Sequence, residues 1–244
     1  MKFASFDLET HIKLPDEEGF DENVFNDTHI TCAAVAYSNK VLIDTWHDYP
    51  YISKIDCCVL VTDLLSIMDK GYTIVTWNGT GFDFKLLAYQ SGLFKECQYI
   101  AENHIDMMLY VTFIKGWYLG LDKALEGAGF DGKLKKVTLS NGDIIENMKG
   151  EQAPELWRNK EFDAVLDYLF IDVKEPLYLI DDIIESKKIQ WTSNSGKRQR
   201  VFIDDLLLVK DCFNIPEPDT SWMTSPPTRL QFIDWFPDKA DYSC

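Results

Sequence analysis

The chain alternates between two hydrophobic periods, and the switches between them mark its elements. Residues 2–8, KFASFDL, form a short apolar run that predicts a strand beginning almost at the first residue, with no leader before it. Residues 11–28 are polar and acidic and predict a loop, long enough inside a domain to be functional. ITCAAVAYS and KVLIDTWHD predict two strands joined by a turn near Ser38 and Asn39. CCVLVTDLLSIMDKG has apolar residues at helical spacing and a stop at Gly71, and YTIVTWN then predicts a buried strand. A helix over FDFKLLAYQSG, ending near Gly92, completes a strand and helix order that favours an α/β domain with a mixed sheet.

Beyond it, NHIDMMLYVTFIKGWY predicts a helix starting near Asp106, and LGLDKALEGAGF a shorter one with a Gly-rich end. KLKKVTLSNGDIIENM, with Asn141-Gly142, fits a hairpin or a loop. FDAVLDYLFIDVKEPLYLIDDIIES is one long amphipathic pattern in which Pro176 demands a break near Glu175. From Lys187 the character changes. A polar, basic stretch (Lys187, Lys188, Lys197, Arg198, Arg200) leads into an apolar segment and then a Pro-rich tail carrying Trp222, Phe232 and Trp235. Residues 1–186 therefore read as the main domain and 187–244 as an extension packed on it, since free linkers rarely carry so much aromatic surface.

Composition changes the picture in two places. With 244 residues, 46% of them hydrophobic and seven Trp, the chain can bury a core and is not a disordered one. Its net charge of −16 sits awkwardly with phosphate binding, unless part of the acid forms a site in which divalent cations lie between carboxylates and phosphate. Six Cys lack zinc spacing and read as reduced thiols, several in the core. No signal peptide and no membrane-spanning run is visible, so the expectation is a cytoplasmic protein with no membrane partner.

Three carboxylate motifs carry candidate chemistry. In Asp7-Leu8-Glu9 the two acids share one face of a strand, and such a pair repels unless a cation sits between them. The same spacing also occurs on solvated strand faces. Asp83, in WNGTGFD between a strand and a helix, fits a helix N-cap as well as a metal ligand. Tyr168 and Asp172 stand at i and i+4 on one helix, which aims a phenol and a carboxylate into one space or makes an amphipathic rim.

Taken in order, FDLET, NGTGFD and YLFID resemble the three motifs of the DEDD superfamily of 3′–5′ exonucleases, in its tyrosine branch (DEDDy). The likeness is to the proofreading exonuclease domain of family-B DNA polymerases over residues 1–186. Asn78, five residues before Asp83, also fits, and Asp167 stands where the histidine branch would carry His. The resemblance implies a ribonuclease-H-like fold and a two-metal reaction with Mg²⁺ or Mn²⁺ on the 3′ end of single-stranded nucleic acid, DNA before RNA. It implies that Asp7 bridges both ions, that Glu9 and Asp172 complete the site of the ion holding the attacking water, that Asp83 supports the second, and that Tyr168 orients the water. Thr10 and Asn78 would contact the terminal nucleotide and Leu8 its base. The insert 11–28 and the tail 187–244 depart from the family pattern.

Other residues stay open between two readings. Asp106 fits an acid behind the site or a helix cap, and His104 an exposed or capping residue. Lys133, Lys135 and Lys136 with Lys197 and Arg198 fit backbone contacts or a solvated surface. Trp191 and Trp222 fit base stacking or core, and Asp181, Asp182 and Glu185 a solvated helix face. The competing function is a nucleic-acid binding or interaction module of the same fold with little hydrolysis.

Overall fold

The computed structural model describes residues 1–13, 22–130, 136–239 and 242. Among these residues the centre is a five-stranded mixed sheet in the order β3-β2-β1-β4-β5. Its strands are β1 (Lys2–Thr10), β2 (Ile30–Tyr37), β3 (Ile43–His47), β4 (Tyr72–Thr76) and β5 (Ile105–Asp106). β1, β2 and β3 run antiparallel to one another, whereas β4 runs parallel to β1 and β5 parallel to β4. β1 is thus paired on both edges, and every residue of β2 is buried. Helices cover the sheet, and the arrangement is an α/β, ribonuclease-H-like fold. The mixed sheet expected from the sequence is present. The third strand starts later than its pattern suggested, because Val41 and Leu42 lie in the connection and are exposed.

Local chemistry explains the helix ends. After α1 (Glu22–Asp27), α2 (Lys54–Asp69) starts three residues ahead of its apolar run, where the Ser53 hydroxyl accepts from the Asp56 amide at 3.2 Å. Gly71, just past its end, has φ +82°, a conformation that favours glycine. α3 (Asp83–Ser91) ends the same way at Gly92. α4 (Phe94–Glu102) carried no clear pattern, since Lys95, Glu96 and Gln98 interrupt its buried Cys97, Ile100 and Ala101. α5 (Met107–Lys115) is capped by Asp106, and α6 (Leu121–Ala128) follows. Val137–Thr138 (β6) and Ile144–Ile145 (β7) form a small hairpin around Asn141-Gly142, which resolves that segment as a hairpin.

α7 (Ala153–Arg158) precedes α8 (Phe162–Asp172) and α9 (Glu175–Ser186). The expected break falls at Val173 and Lys174, with Pro176 in the first turn of α9, where a missing amide costs nothing. In the tail, β8 (Lys188–Thr192) and β9 (Arg198–Phe202) form an antiparallel hairpin, and α10 (Val209–Cys212) follows. Phe232, Ile233, Trp235 and Phe236 from the tail are buried in the core. No described helix is long and apolar enough to cross a membrane. Cys32, Cys57, Cys58, Cys97 and Cys212 are free thiols, and Cys244 lies outside the described residues.

Candidate active site

Asp7 and Glu9 stand two residues apart near the end of the central strand, opposite Ala34 and Cys32 of β2. Their side chains line a cleft of about 360 Å³ together with Tyr168 and Asp172 of α8. Glu9 and Asp172 are nearly buried, at 8% and 9% exposure, so their charges cannot be solvated by bulk water alone. One turn apart on α8, Tyr168 and Asp172 are hydrogen-bonded. Burial first, then the charges of Asp172 and Glu9, hold the phenol far above its ordinary pKa, so the hydroxyl keeps its proton and donates it to Asp172.

Asp83, at the first position of α3, reaches the same acids from behind. Its carboxyl is 3% exposed and hydrogen-bonds with the Asp7 carboxyl and the Leu8 amide. Burial pushes its pKa well above the usual carboxylate range, and the charge of Asp106 pushes the same way. Two carboxyls in hydrogen-bond contact need a proton between them, and that proton relieves like-charge repulsion as a cation would. Asp83 Oδ1 is a buried oxygen with no hydrogen-bond partner. An acid with a spare buried oxygen beside Asp7, close behind a cleft that Glu9 and Asp172 line, fits a divalent cation such as Mg²⁺ or Mn²⁺. As the side chains stand, no three His, Cys, Asp or Glu among the described residues form a ready-made cage. Part of the donor set is turned to protein partners instead, Asp7 with Asp83 and Tyr168 with Asp172.

Asp83 owes its aim to the loop before it, and that loop is held by Asp106. One oxygen of Asp106 accepts from the Asn78 and Leu109 amides, the other from the Thr80 amide, all at 3.0 Å. A single buried carboxylate therefore caps α5, as one reading expected, and also fixes residues 78–80 ahead of Asp83. His104 is fully buried, not exposed or capping. Its Nε2 pairs with the Thr76 hydroxyl at 2.9 Å and its Nδ1 with the Ala101 carbonyl at 2.7 Å. Burial lowers its pKa, and in the neutral tautomer both contacts are satisfied, which is why a histidine is tolerated in the core. Thr76 Oγ1 in turn accepts from the Gly79 amide, and a Cβ on Gly79 would fall inside the Thr76 side chain. From the tail, the Trp235 indole donates to the Thr80 carbonyl at 2.9 Å. Lys85, in the first turn of α3, is 6% exposed and makes two 2.8 Å bonds to Asp234.

The remaining expected contacts divide. Leu8 and Thr10 line the carboxylate cleft. Asn78 does not; it sits in the loop at φ +75°, with its amide bound to Asp106. Lys197 and Arg198 do not line it either; they lie in the β8–β9 turn and at the start of β9. Trp191 is buried edge-on against Trp117 at 5.4 Å, whereas Trp222 is 69% exposed. Asp181 and Glu185 are exposed on α9, with Asp182 half-buried. Lys136 pairs with Glu146 at 3.1 Å, and Lys133 and Lys135 lie outside the described residues, as do residues 14–21 of the 11–28 insert, whose residues 22–27 form α1 where a loop was expected. Sequence reasoning missed Lys13 and Glu151, which line the carboxylate cleft and form a 2.8 Å ion pair across it. Nothing in their local sequence marks two residues 138 positions apart as partners.

No protein-family model matches the chain, and no curated protein matches it. Among solved structures it is similar to the family B DNA polymerase of the hyperthermophilic archaeon Pyrobaculum calidifontis, with a TM-score of 0.51 and 15% sequence identity over 75% of this chain. The match spans 24% of the polymerase, so the likeness is one of fold to a segment of that enzyme.

Proposed function

We propose that the chain is a metal-dependent 3′–5′ exonuclease of the tyrosine DEDD branch, acting on single-stranded nucleic acid, DNA in preference to RNA, and releasing nucleoside 5′-monophosphates. The observation that carries this reading is the convergence of Asp7, Glu9, Tyr168 and Asp172 on one cleft, with Asp83 bonded to Asp7 behind it. Three motifs far apart in sequence supply these residues, and a purely structural role gives no reason for so many acids to be gathered in one place.

Asp7, Glu9, Asp83 and Asp172 would hold two divalent cations. Such ions supply a water acidified enough to attack phosphorus and positive charge beside the departing 3′ oxygen. The chain's own residues do the rest. Tyr168, protonated and anchored to Asp172, offers a fixed hydroxyl that orients the attacking water. Leu8 and Thr10 in the floor of the cleft would meet the terminal nucleotide. Lys13, at the lip, carries the positive charge that a phosphate would find there, and its bond to Glu151 must open or shift to offer it.

The test is a time course on 5′-labelled single-stranded DNA and RNA of one sequence, with Mg²⁺, Mn²⁺ or EDTA, for wild type and Asp172→Asn. A metal-dependent ladder receding from the 3′ end and lost in the variant is expected. Pure folded protein that shortens neither strand would sink the reading. It would favour the binding module, the reading that the net charge of −16 also motivates.

A further inference from the structure

A second cleft, of about 1390 Å³, opens beside the carboxylates and shares Tyr168 and Gly150 with their cleft. Its volume exceeds the roughly 300–1,000 Å³ of small-molecule pockets, so it suits an extended ligand. One wall is α6 and the segment before it; the opposite wall is the β8–β9 hairpin. The two walls touch along α6. Gly127 of α6 lies so near β8 that a Cβ would collide with the Gln190 carbonyl, and Lys123 reaches Asn194 of the hairpin turn at 2.8 Å.

The lining is chemically mixed in an informative way. Asn147, Ser193, Asn194 and Gln199 present amides and hydroxyls, Lys123 and Lys149 present cations, and Tyr118 an exposed ring, against a single acid, Asp122. Polar side chains, flexible cations and a half-exposed aromatic ring match a chain of phosphates and bases read without sequence preference. The local charge agrees. Residues 187–202 hold five Lys and Arg and no acid, in a chain of net charge −16. Arg198 and Arg200 alternate with Gln199 and so point to the other face of the hairpin, where they raise the potential around the groove without lining it.

We propose that this second cleft is a single-strand groove that holds the nucleotides lying 5′ of the bond cut at the carboxylates. Tyr168 stands at the junction, where the strand would pass from one cleft to the other. The inference rests on the exonuclease reading for its direction, and on the lining alone for its ligand class. The groove uses the hairpin of the tail, so the part of the chain that departs from the polymerase pattern acquires a task, gripping the strand.

The experiment measures binding of a labelled dinucleotide and a labelled dodecanucleotide, both single-stranded DNA, by fluorescence anisotropy in Ca²⁺. It compares wild type, the double variant Tyr118→Ala with Lys149→Ala, and Lys95→Ala on the exposed side of α4 as a control. All these side chains are exposed, and melting curves confirm the fold of each variant. Wild type should bind the longer strand at least about tenfold more tightly, and the double variant should lose at least about fivefold of that preference. Its salt dependence should fall by a slope of about one for the missing lysine. A wild type indifferent to length, or a double variant that keeps the full preference, overturns the groove. Incubation in Mg²⁺ or Mn²⁺ separates the two readings. A length preference lost in the variant, with no shortening by wild type, leaves the strand-binding groove standing and removes the nuclease. Shortening with no length preference does the reverse.

Discussion

The two clefts meet at Tyr168 but are built in opposite ways. The carboxylate cleft is set in the interior: β1 is paired on both edges, the loop before Asp83 is bonded to Asp106, and α8 packs its buried face inward. The second cleft is walled by a hairpin paired only with itself and by exposed polar side chains. Chemistry on a phosphodiester needs groups held to within a fraction of an ångström, and only elements fixed from several sides provide that. Gripping a strand of varying sequence needs donors that adapt, and surface side chains suit it.

Substitutions can break that contrast. The largest effect is expected at Asp7. Asp7→Ala should lower nuclease turnover by on the order of 10³-fold, while its melting temperature changes little, because the hydrogen bond lost to Asp83 is offset by the removal of an acid from a crowded site. A variant that loses stability along with activity would mean that Asp7 is structural. Tyr168→Phe removes one hydroxyl from the junction and should reduce kcat roughly 10²-fold with stability little changed; an unchanged kcat would remove the phenol from the mechanism.

Two further changes probe the supports. Asp106→Ala strips three amides of their acceptor and should cost about 3 kcal/mol, seen as a fall of roughly 10 °C in melting temperature for a chain of this size. Activity should fall with it, because Asp83 loses its aim. Gly127→Ala forces α6 away from β8 and should cost about 1–3 kcal/mol. It should weaken strand binding more than dinucleotide turnover. Equal loss of both would show that the clefts are mechanically one. The smallest effect is expected at Lys13→Ala, where an exposed ion pair leaves stability within about 0.5 kcal/mol and any change appears in KM.

What the sequence made legible was local. A same-face DxE on a strand, an Asp opening α5, a Gly closing α2 and a Pro starting α9 are each decided by neighbours within a turn or two, and the structure has all four. The signals that failed depend on distant partners. His104 looked solvent-facing because its polar partners, Thr76 and Ala101, meet it only in the folded core. Val41 and Leu42 looked like strand because they are apolar, yet they sit in an exposed connection. The β8–β9 hairpin was hidden by its basic residues, since only Ile189, Trp191 and Val201 turn inward. Within the site, the motif acids could be named from sequence. The pairing of Asp83 with Asp7 and the hold of Asp106 on the loop could not, because hydrogen bonds leave no periodicity.

The Trp235 indole that braces Thr80 reaches across 155 residues of sequence. A ribosome adding about 5–20 residues per second needs roughly 10–30 s to cover that distance. Through that interval the strand, the loop and Asp83 have been made, but the brace on the loop is missing. Asp83 therefore gains this support on its loop only once residue 235 has been made, long after the loop itself.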